Sequence, residues 1–154
     1  MAMTDQELAA SAKAIIDANR YMAIGTADES GLPWVSPVWF AHEGYQEFVW
    51  VSKPGAQHSR NVATRPQVAI VIFDSQVPPG SGEGVYLTAL AEELTGEELE
   101  RGIRIFNRES ERQGLRVWTR EDVVPPGPHR VYHAVVTEQF VLSPQDERLP
   151  VTLT

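Results

Sequence analysis

Residues 33–73 constrain the fold of this chain more than any other part of the sequence. Two extended apolar stretches, 34–40 and 48–51, are followed by a short polar stretch at 57–63 and a nearly unbroken apolar run at 68–73. Apolar runs separated by turn residues are typical of short β-strands, and the polar stretch has the length of one or two helical turns. The segment predicts strand, turn, strand, helix and strand. The last strand, apolar on both faces, should be covered by the barrel interior and by a helix or partner.

The length of 154 residues fits one domain that spans the whole chain, residues 1–154. Residues 1–20 are expected to be an N-terminal helix, because Thr4 and Glu7 have capping-box spacing and apolar residues follow on one helical face. Residues 143–154 are expected to be a C-terminal tail. Neither an internal repeat nor a second domain is visible in the sequence.

Charge and composition exclude several classes of function. Thirteen basic and twenty-one acidic residues give a net charge of -8, which argues against nucleic acid and against anionic membrane surfaces as partners. The chain has no cysteine, so disulfides and thiolate chemistry are excluded. The N-terminus lacks the apolar core of a signal peptide, and no apolar run reaches the length of a membrane span. We expect a soluble, cytoplasmic protein.

The second half of the chain predicts further strands around one helix. Alternating residues at 85–92 indicate a half-exposed strand, and the spacing of Thr95 and Glu98 indicates the cap of an amphipathic helix with a solvated charged face. Thr119 and Asp122 have the same spacing. Residues 130–136 and 139–142 are expected to be two closing strands. Short strands with helices between them favour a small barrel.

Pro37 and the two neighbouring tryptophans allow more than one interpretation. Pro37 removes one donor from its strand, which indicates an edge strand, a bulge, or backbone that faces something other than a strand. A turn near Gly44 would place Trp39 roughly opposite Trp50. The two indoles then serve either core packing or contact with a cofactor.

The tetrad of His58, Ser59, Arg60 and Asn61 is the most informative local chemistry. A helix that starts here directs free amides and the positive end of its dipole outward, beside donors that suit a phosphate group. The alternative is a solvated helix start in which Arg60 makes a surface ion pair.

Other candidate sites are weaker. His129 and His133 are four residues apart on a predicted strand, where this spacing does not bring two rings to one metal ion, so no metal site is expected. Glu92 and Glu93 are adjacent on a strand and should point to opposite faces, which excludes an acid–base dyad. No catalytic side chain can be assigned from these patterns.

A longer pattern resembles a known family. It consists of Pro-Val-Trp-Phe at 37–40, the turn with Gly44, Phe-Val-Trp-Val-Ser at 48–52, His-Ser-Arg-Asn-Val at 58–62 and Arg-Pro-Gln-Val-Ala at 65–69. Together these residues resemble the pyridoxamine 5'-phosphate oxidase-like FMN-binding split-barrel superfamily. The resemblance is good over residues 21–94 and extends to residue 142.

The resemblance implies a mainly β fold with flanking helices, a six-stranded Greek-key split β-barrel. It implies a homodimer with FMN at the interface. The expected FMN contacts are the strand residues Val35, Ser36, Pro37, Val38 and Trp39, the strand end Val51 and Ser52, and the helix residues His58, Ser59, Arg60 and Asn61. Trp118 is a candidate contributed by the second protomer.

Departures from the family pattern limit the reaction that is implied. Members that oxidise pyridoxamine phosphate resemble this chain but carry Arg and Lys where residues 35–40 are uncharged, and they have a longer basic site near the C-terminus than Arg148-Leu149-Pro150. The resemblance thus implies an FMN-binding oxidoreductase that acts on a different small molecule. Because His58 stands where many members have lysine, the alternatives are a deazaflavin-dependent reductase, a non-catalytic flavin or haem carrier, or a protein without a cofactor.

Overall fold

An antiparallel sheet, curled into a half-barrel, forms the body of the protein in the computed structural model, which describes residues 2–154. Within that range there are eight strands, three α-helices and one short 3-10 helix. The helices are α1 (Asp5–Ala18), α2 (Gln57–Thr64) and α3 (Gly96–Arg112), and the 3-10 helix is Arg120–Val123. The strands are β1 (Tyr21–Ala27), β2 (Pro33–Trp39), β3 (Ala41–Glu43), β4 (Glu47–Ser52), β5 (Gln67–Ile72), β6 (Val85–Glu93), β7 (Arg130–Leu142) and β8 (Arg148–Pro150).

The strand order is β2-β1-β5-β6-β7-β4-β3, and β8 pairs with β7. The expected count of six strands is therefore too low within residues 2–154. The two closing strands expected at 130–136 and 139–142 are one strand, β7, whose register with β6 shifts between Thr88 and Ala89. Thr137 has no partner in the β6 register, so the break in the sequence pattern marks a β-bulge instead of a turn.

Pro37 lies on an edge strand, as one of its interpretations predicted. β2 ends the sheet, and Pro37 pairs with Ala23 of β1. An edge strand tolerates proline because one side of its backbone makes no ladder hydrogen bonds. This leaves backbone on the open side of β2 for other contacts.

The expected pairing of Trp39 with Trp50 is wrong. The turn at Gly44 does form, with positive φ at both Gly44 and Tyr45 as in a type I′ hairpin. The extended segment before this turn is interrupted between β2 and β3, however, so Trp39 at the end of β2 pairs with Tyr21 of β1. Trp50 is fully buried and stacks on Tyr132 with ring centroids 5.9 Å apart.

Helix α1 packs on the core as predicted. Thr4 and Glu7 form the expected capping box. The buried residues of α1 are Leu8, Ala12, Ile15 and Ile16, and they belong to the same cluster as Phe48 and Trp50. Among residues 2–154, no helix combines the length and apolar character that crossing a membrane requires.

β5 is only half covered in the single chain. Val68, Ile70 and Ile72 are buried, whereas Ala69 on the opposite face is exposed. The expectation that both faces of this strand are covered therefore fails for the chain alone. Because alternate residues of a strand point to opposite faces, a row of apolar side chains is left on the outer face of the sheet.

Helix α3 is amphipathic as predicted, but its charged face is more than a solvated surface. The side chain of Thr95 makes no capping hydrogen bond, contrary to expectation, although Thr119 and Asp122 do form their capping box. Leu99, Ile103 and Phe106 are buried against the sheet. On the same helix, Arg101 forms an ion pair with Glu47 of β4.

Glu47 is the centre of a buried charge cluster that sequence analysis did not detect. His133 Nδ1 lies 2.6 Å from Glu47 Oε2, and His133 Nε2 lies 3.1 Å from Glu92 Oε1. Burial acts to raise the pKa of Glu47, but hydrogen bonds from Arg101 and His133 outweigh it and hold that pKa below its ordinary value. The cluster joins α3 to three neighbouring strands.

The expected C-terminal tail is a structured part of the domain. Within residues 143–154, β8 pairs with β7, and Leu153 is fully buried in the main core. Leu153 N–H donates to Gln139 Oε1 at 3.1 Å. The polar composition of this segment concealed its apolar contacts, because Leu149 and Val151 also pack, partly buried, against the same core.

Leu153→Ala should lower the free energy of unfolding by at least roughly 2 kcal/mol, because it empties a core position. The same substitution at Leu32, whose side chain is mostly exposed, is the matched control and should change little. Urea denaturation measures both. Equal stabilities of the two variants would show that residues 143–154 do not pack against the core in solution.

Glu47→Gln should lower the free energy of unfolding at pH 7 by roughly 1.5–3 kcal/mol, because hydrogen bonds to a charged group are lost. The pKa of Glu47 is depressed in the folded protein from an ordinary value of 4.5. Its stabilising effect is therefore complete above about pH 4.5 and is lost as the pH falls through the folded pKa.

The difference between wild type and Glu47→Gln should accordingly shrink in urea denaturation series recorded from pH 7 down to pH 3. Glu98→Gln is the control, since Glu98 is exposed and lies 3.8 Å from the same Arg101. A difference in the free energy of unfolding that stays constant down to low pH would argue against an ionised Glu47.

Candidate cofactor cleft

One cleft of about 460 Å³ lies where β2, the end of β4, the start of α2 and the segment after α3 meet. Its predicted lining residues are Pro37, Val38, Trp39, Val51, Ser52 and His58. Trp118, which was expected from a second protomer, lines the cleft from the same chain. Residues that sequence analysis did not identify complete it: Phe106, Ser110, Leu115 and Arg116. The structure thus brings together predicted residues from three separate segments of the chain.

Aromatic rings form one wall of the cleft. Trp39 meets Phe106 edge to face with centroids 4.9 Å apart, and Phe106 meets Trp118 in the same way at 6.3 Å. Asn107 holds the Trp118 backbone in place, because its side chain donates to Trp118 O at 2.8 Å and accepts from Trp118 N at 2.9 Å. Fixed aromatic surfaces suit a flat, apolar ligand.

The polar end of the cleft contains His58 and Ser52. His58 Nε2 lies 2.9 Å from Ser52 Oγ, and burial lowers the pKa of His58. The imidazole is therefore a neutral hydrogen-bonding group near pH 7. Ala56, the N-cap of α2, offers no side-chain cap to the first amides of this helix. A helix start of this kind is suited to a phosphate group.

Arg116 places a guanidinium in the cleft. Its guanidinium carbon lies 3.8 Å from the centre of the Trp118 ring, and the same side chain pairs with Asp122 at 3.0 Å. The stacking over the indole is a cation–π contact. The positive charge of the cleft therefore comes from the segment after α3 as well as from the helix start.

The other predicted residues of β2 and α2 lie outside this cleft. Val35 is 67% exposed on the outer face of the sheet, and Ser36 Oγ accepts from Trp34 Nε1 at 3.1 Å. Asn61 is buried, and its side chain donates to Thr26 Oγ1 at 3.0 Å. Asn61 therefore fastens α2 to β1.

Ser59 and Arg60 lie on the far side of α2. Both line a second, larger cleft of about 770 Å³ between α2 and the ends of β6 and β7. The Arg60 guanidinium donates to Gly55 O and, at 2.6 Å, to Gln57 Oε1, so it folds back on its own helix start. Successive helical residues point about 100° apart, which is why the predicted tetrad is divided between two clefts.

The residues that sequence analysis missed had only weak signals. Phe106 was correctly expected on the buried face of α3, but nothing in the sequence indicates that this face also borders a cleft. Leu115 and Arg116 lie outside every helix and strand. Their position depends on the path of the chain after α3, which local patterns do not specify.

Solved structures confirm the type of fold. The chain aligns with a heme binding protein from Mycobacterium smegmatis with a TM-score of 0.75 and 19% identity, covering 99% of this chain and 59% of that one. It aligns with HutZ, the heme storage protein from Vibrio cholerae, with a TM-score of 0.66 and 18% identity, covering 84% and 90% of the two chains. For an F420 reductase the TM-score is 0.59 and the identity 18%, with coverage of 83% and 94%.

These likenesses establish a common fold at low sequence identity, and this chain spans 59% of the length of the mycobacterial protein. A search of the curated proteins finds no match. The sequence model of the pyridoxamine 5'-phosphate oxidase family, by contrast, matches residues 8–138, which include all lining residues of both clefts. On this match, the chain belongs to the pyridoxamine 5'-phosphate oxidase family.

Proposed function

We propose that the protein is an FMN-binding oxidoreductase and that the 460 Å³ cleft holds the flavin. The observation that carries this proposal is the convergence of an aromatic wall, an edge strand and an uncapped helix start in a single cleft. A flavin mononucleotide has a flat apolar ring at one end and a phosphate at the other. The two ends of the cleft have matching chemistry.

The size and the donors of the cleft fit this cofactor. Its volume lies within the range of about 300–1,000 Å³ that is usual for small-molecule and cofactor sites. Ser52 and His58 are close enough to hydrogen-bond each other, so both can donate to one phosphate at the start of α2. The amides of the first turn of α2 add donors without a charged side chain.

The protein's own part is binding and orientation. Trp39 and Trp118 would pack beside the ring, and the open side of β2 would present backbone groups to it. Bound FMN supplies hydride or electron transfer to a small-molecule substrate. The described side chains of the cleft need to exclude water and fix the ring, and none of them has to act as an acid or base.

The proposal includes a homodimer with the cofactor at its interface. The outer sheet face carries an apolar groove, about 270 Å³ in volume, lined by small residues such as Ala23, Gly25 and Ala69 and bordered by Val35. An exposed apolar face of this kind favours association with a second copy. β2 contributes both to this face and to the cleft, so a partner seated there would lie beside the bound ring.

A haem or deazaflavin is the second candidate ligand of the same cleft. His58 supports haem in particular, because a neutral imidazole is the form that ligates iron. The heme-binding, heme-storage and F420 reductase proteins named above share the fold. We rank FMN ahead of haem because Ser52 and the helix start provide a site for a phosphate, which haem does not have.

FMN titration of the purified protein, followed by flavin fluorescence and visible absorbance, tests the cofactor. His58→Ala should weaken FMN binding by roughly 1.5–3 kcal/mol, the cost of losing a hydrogen bond to a charged phosphate. Arg60→Ala should have a smaller effect, because Arg60 faces away from this cleft. If Arg60→Ala weakens FMN binding more than His58→Ala does, the phosphate binds on the other side of α2. A Soret band with added haem, and no response to FMN, would favour the second candidate.

Light scattering tests the dimer. We expect twice the chain mass of 17.1 kDa for the wild type and the single chain mass for Val35→Asp, which places a charge in the apolar groove. Val77→Asp is the control, because Val77 is exposed in the loop between β5 and β6. A monomeric wild type would contradict the interfacial site.

A further inference from the structure

We propose that the 770 Å³ cleft on the far side of α2 is a second binding site, which takes a small organic cation, a protonated amine carried on an apolar body. The cleft lies between α2 and the ends of β6 and β7. It shares no lining residue with the cofactor cleft within residues 2–154. The two sites are therefore spatially separate, although α2 borders both.

The body of the ligand would lie on an apolar surface. Val62, Pro66 and Ala91 line the cleft, together with the ring of Tyr132. Leu90 and Val135 border it and are each nearly half exposed, although both are apolar. A pocket with mostly apolar walls and a few polar groups is the usual form of a small-molecule site.

Ser59 provides an independent sign of a ligand. Its side chain is 97% buried and lines this cleft, yet its hydroxyl has no hydrogen-bond partner of normal geometry among residues 2–154. Burial raises the pKa of Tyr132 and the nearby Ser59 hydroxyl acts to lower it, but the two side chains do not reach normal hydrogen-bond geometry. A buried hydroxyl without a partner is costly unless a ligand or water satisfies it.

The charges around the cleft select a cation. Glu92 and Glu93 line it, and Glu47 lies behind His133. Arg60 also lines the cleft, but its guanidinium is engaged by Gly55 and Gln57, and Arg101 is paired with Glu47. Because Gly55 O and Gln57 Oε1 are neutral acceptors, Arg60 keeps its positive charge, but no ion pair joins it to Glu92 or Glu93 among the described residues. Two carboxylates therefore face one guanidinium at the mouth, which disfavours an anion and favours an ammonium group.

Glu92 is held in position for this role. His133 is itself buried and keeps Glu92 Oε1 at 3.1 Å, which leaves the second carboxylate oxygen of Glu92 for a ligand. The buried charge cluster that fastens α3 thus also orients a carboxylate at the rim of the second cleft.

A charge series of one small probe tests the proposal. Benzylamine, benzyl alcohol and benzoate have the same ring and differ in charge. Each is titrated into the full-length protein saturated with FMN, and binding is followed by amide chemical shifts. We expect benzylamine to bind with a Kd on the order of millimolar, as is usual for a ligand of this size. The shifts should map to α2 and the ends of β6 and β7, benzyl alcohol should bind at least threefold more weakly, and benzoate should not bind.

Two variants distinguish binding in the second cleft from nonspecific attraction of the amine to the acidic protein surface. Glu92→Gln and Ser59→Ala should each weaken benzylamine binding by about two- to tenfold. Glu97→Gln, an exposed carboxylate on α3, should leave it unchanged. Circular dichroism checks that each variant is folded. The Glu92 side chain is largely exposed, so the protein should tolerate its substitution.

Several outcomes would overturn the proposal. They are equal binding of the three probes, no saturable shift for benzylamine, shifts that map elsewhere, and Glu97→Gln acting as strongly as Glu92→Gln. Flavin fluorescence recorded during the titration of the FMN-saturated protein gives a further check, since displacement of FMN by benzylamine would mean that the two ligands share the first cleft.

Discussion

The burial of Glu47 is the constraint on which both clefts depend. A carboxylate at this depth is tolerable only when it is paired, and its partners come from two different elements, Arg101 of α3 and His133 of β7. Their contacts fasten α3 to the outer face of the sheet. The far end of that helix then supplies Phe106 and Ser110 to the cofactor cleft, while His133 orients Glu92 at the second cleft.

Local patterns in the sequence predicted those elements whose signals are carried by neighbouring residues. The capping box of α1 and the buried face of α3 follow from spacing, and both were confirmed. For Pro37, backbone chemistry left three interpretations, of which the structure shows the edge strand. The cap expected at Thr95 is a local prediction that failed, but the larger failures required knowledge of distant pairing. Trp39 lies on a different ladder from Trp50 because the strand is interrupted between them, and no local pattern reveals that interruption.

The difference between local and distant signals also applies to the candidate cofactor cleft. Pro37, Ser52 and His58 were predicted from the family resemblance, and the structure brings them together in one cleft. Helical geometry then separates His58 from Ser59 and Arg60, which a contiguous motif would suggest act together. Glu47 was missed because a single glutamate in a strand looks like an ordinary surface residue until its partners, 54 and 86 positions away in the chain, are known.

The bulge at Thr137 has a consequence for how the length of this chain can vary. Before it, Tyr132 and Ala134 point into the core, and after it Val141 does, so inward positions are even-numbered on one side and odd-numbered on the other. Loss of Thr137 alone would restore a regular strand and keep the same residues pointing inward, whereas loss of one residue elsewhere in β7 would turn the part of the strand beyond it inside out. Except at the bulge, the alternation of β7 therefore makes insertions and deletions of a single residue costly in a strand that pairs with three others, β6, β4 and β8. Evolution can lengthen the loops around this strand far more readily than the strand itself.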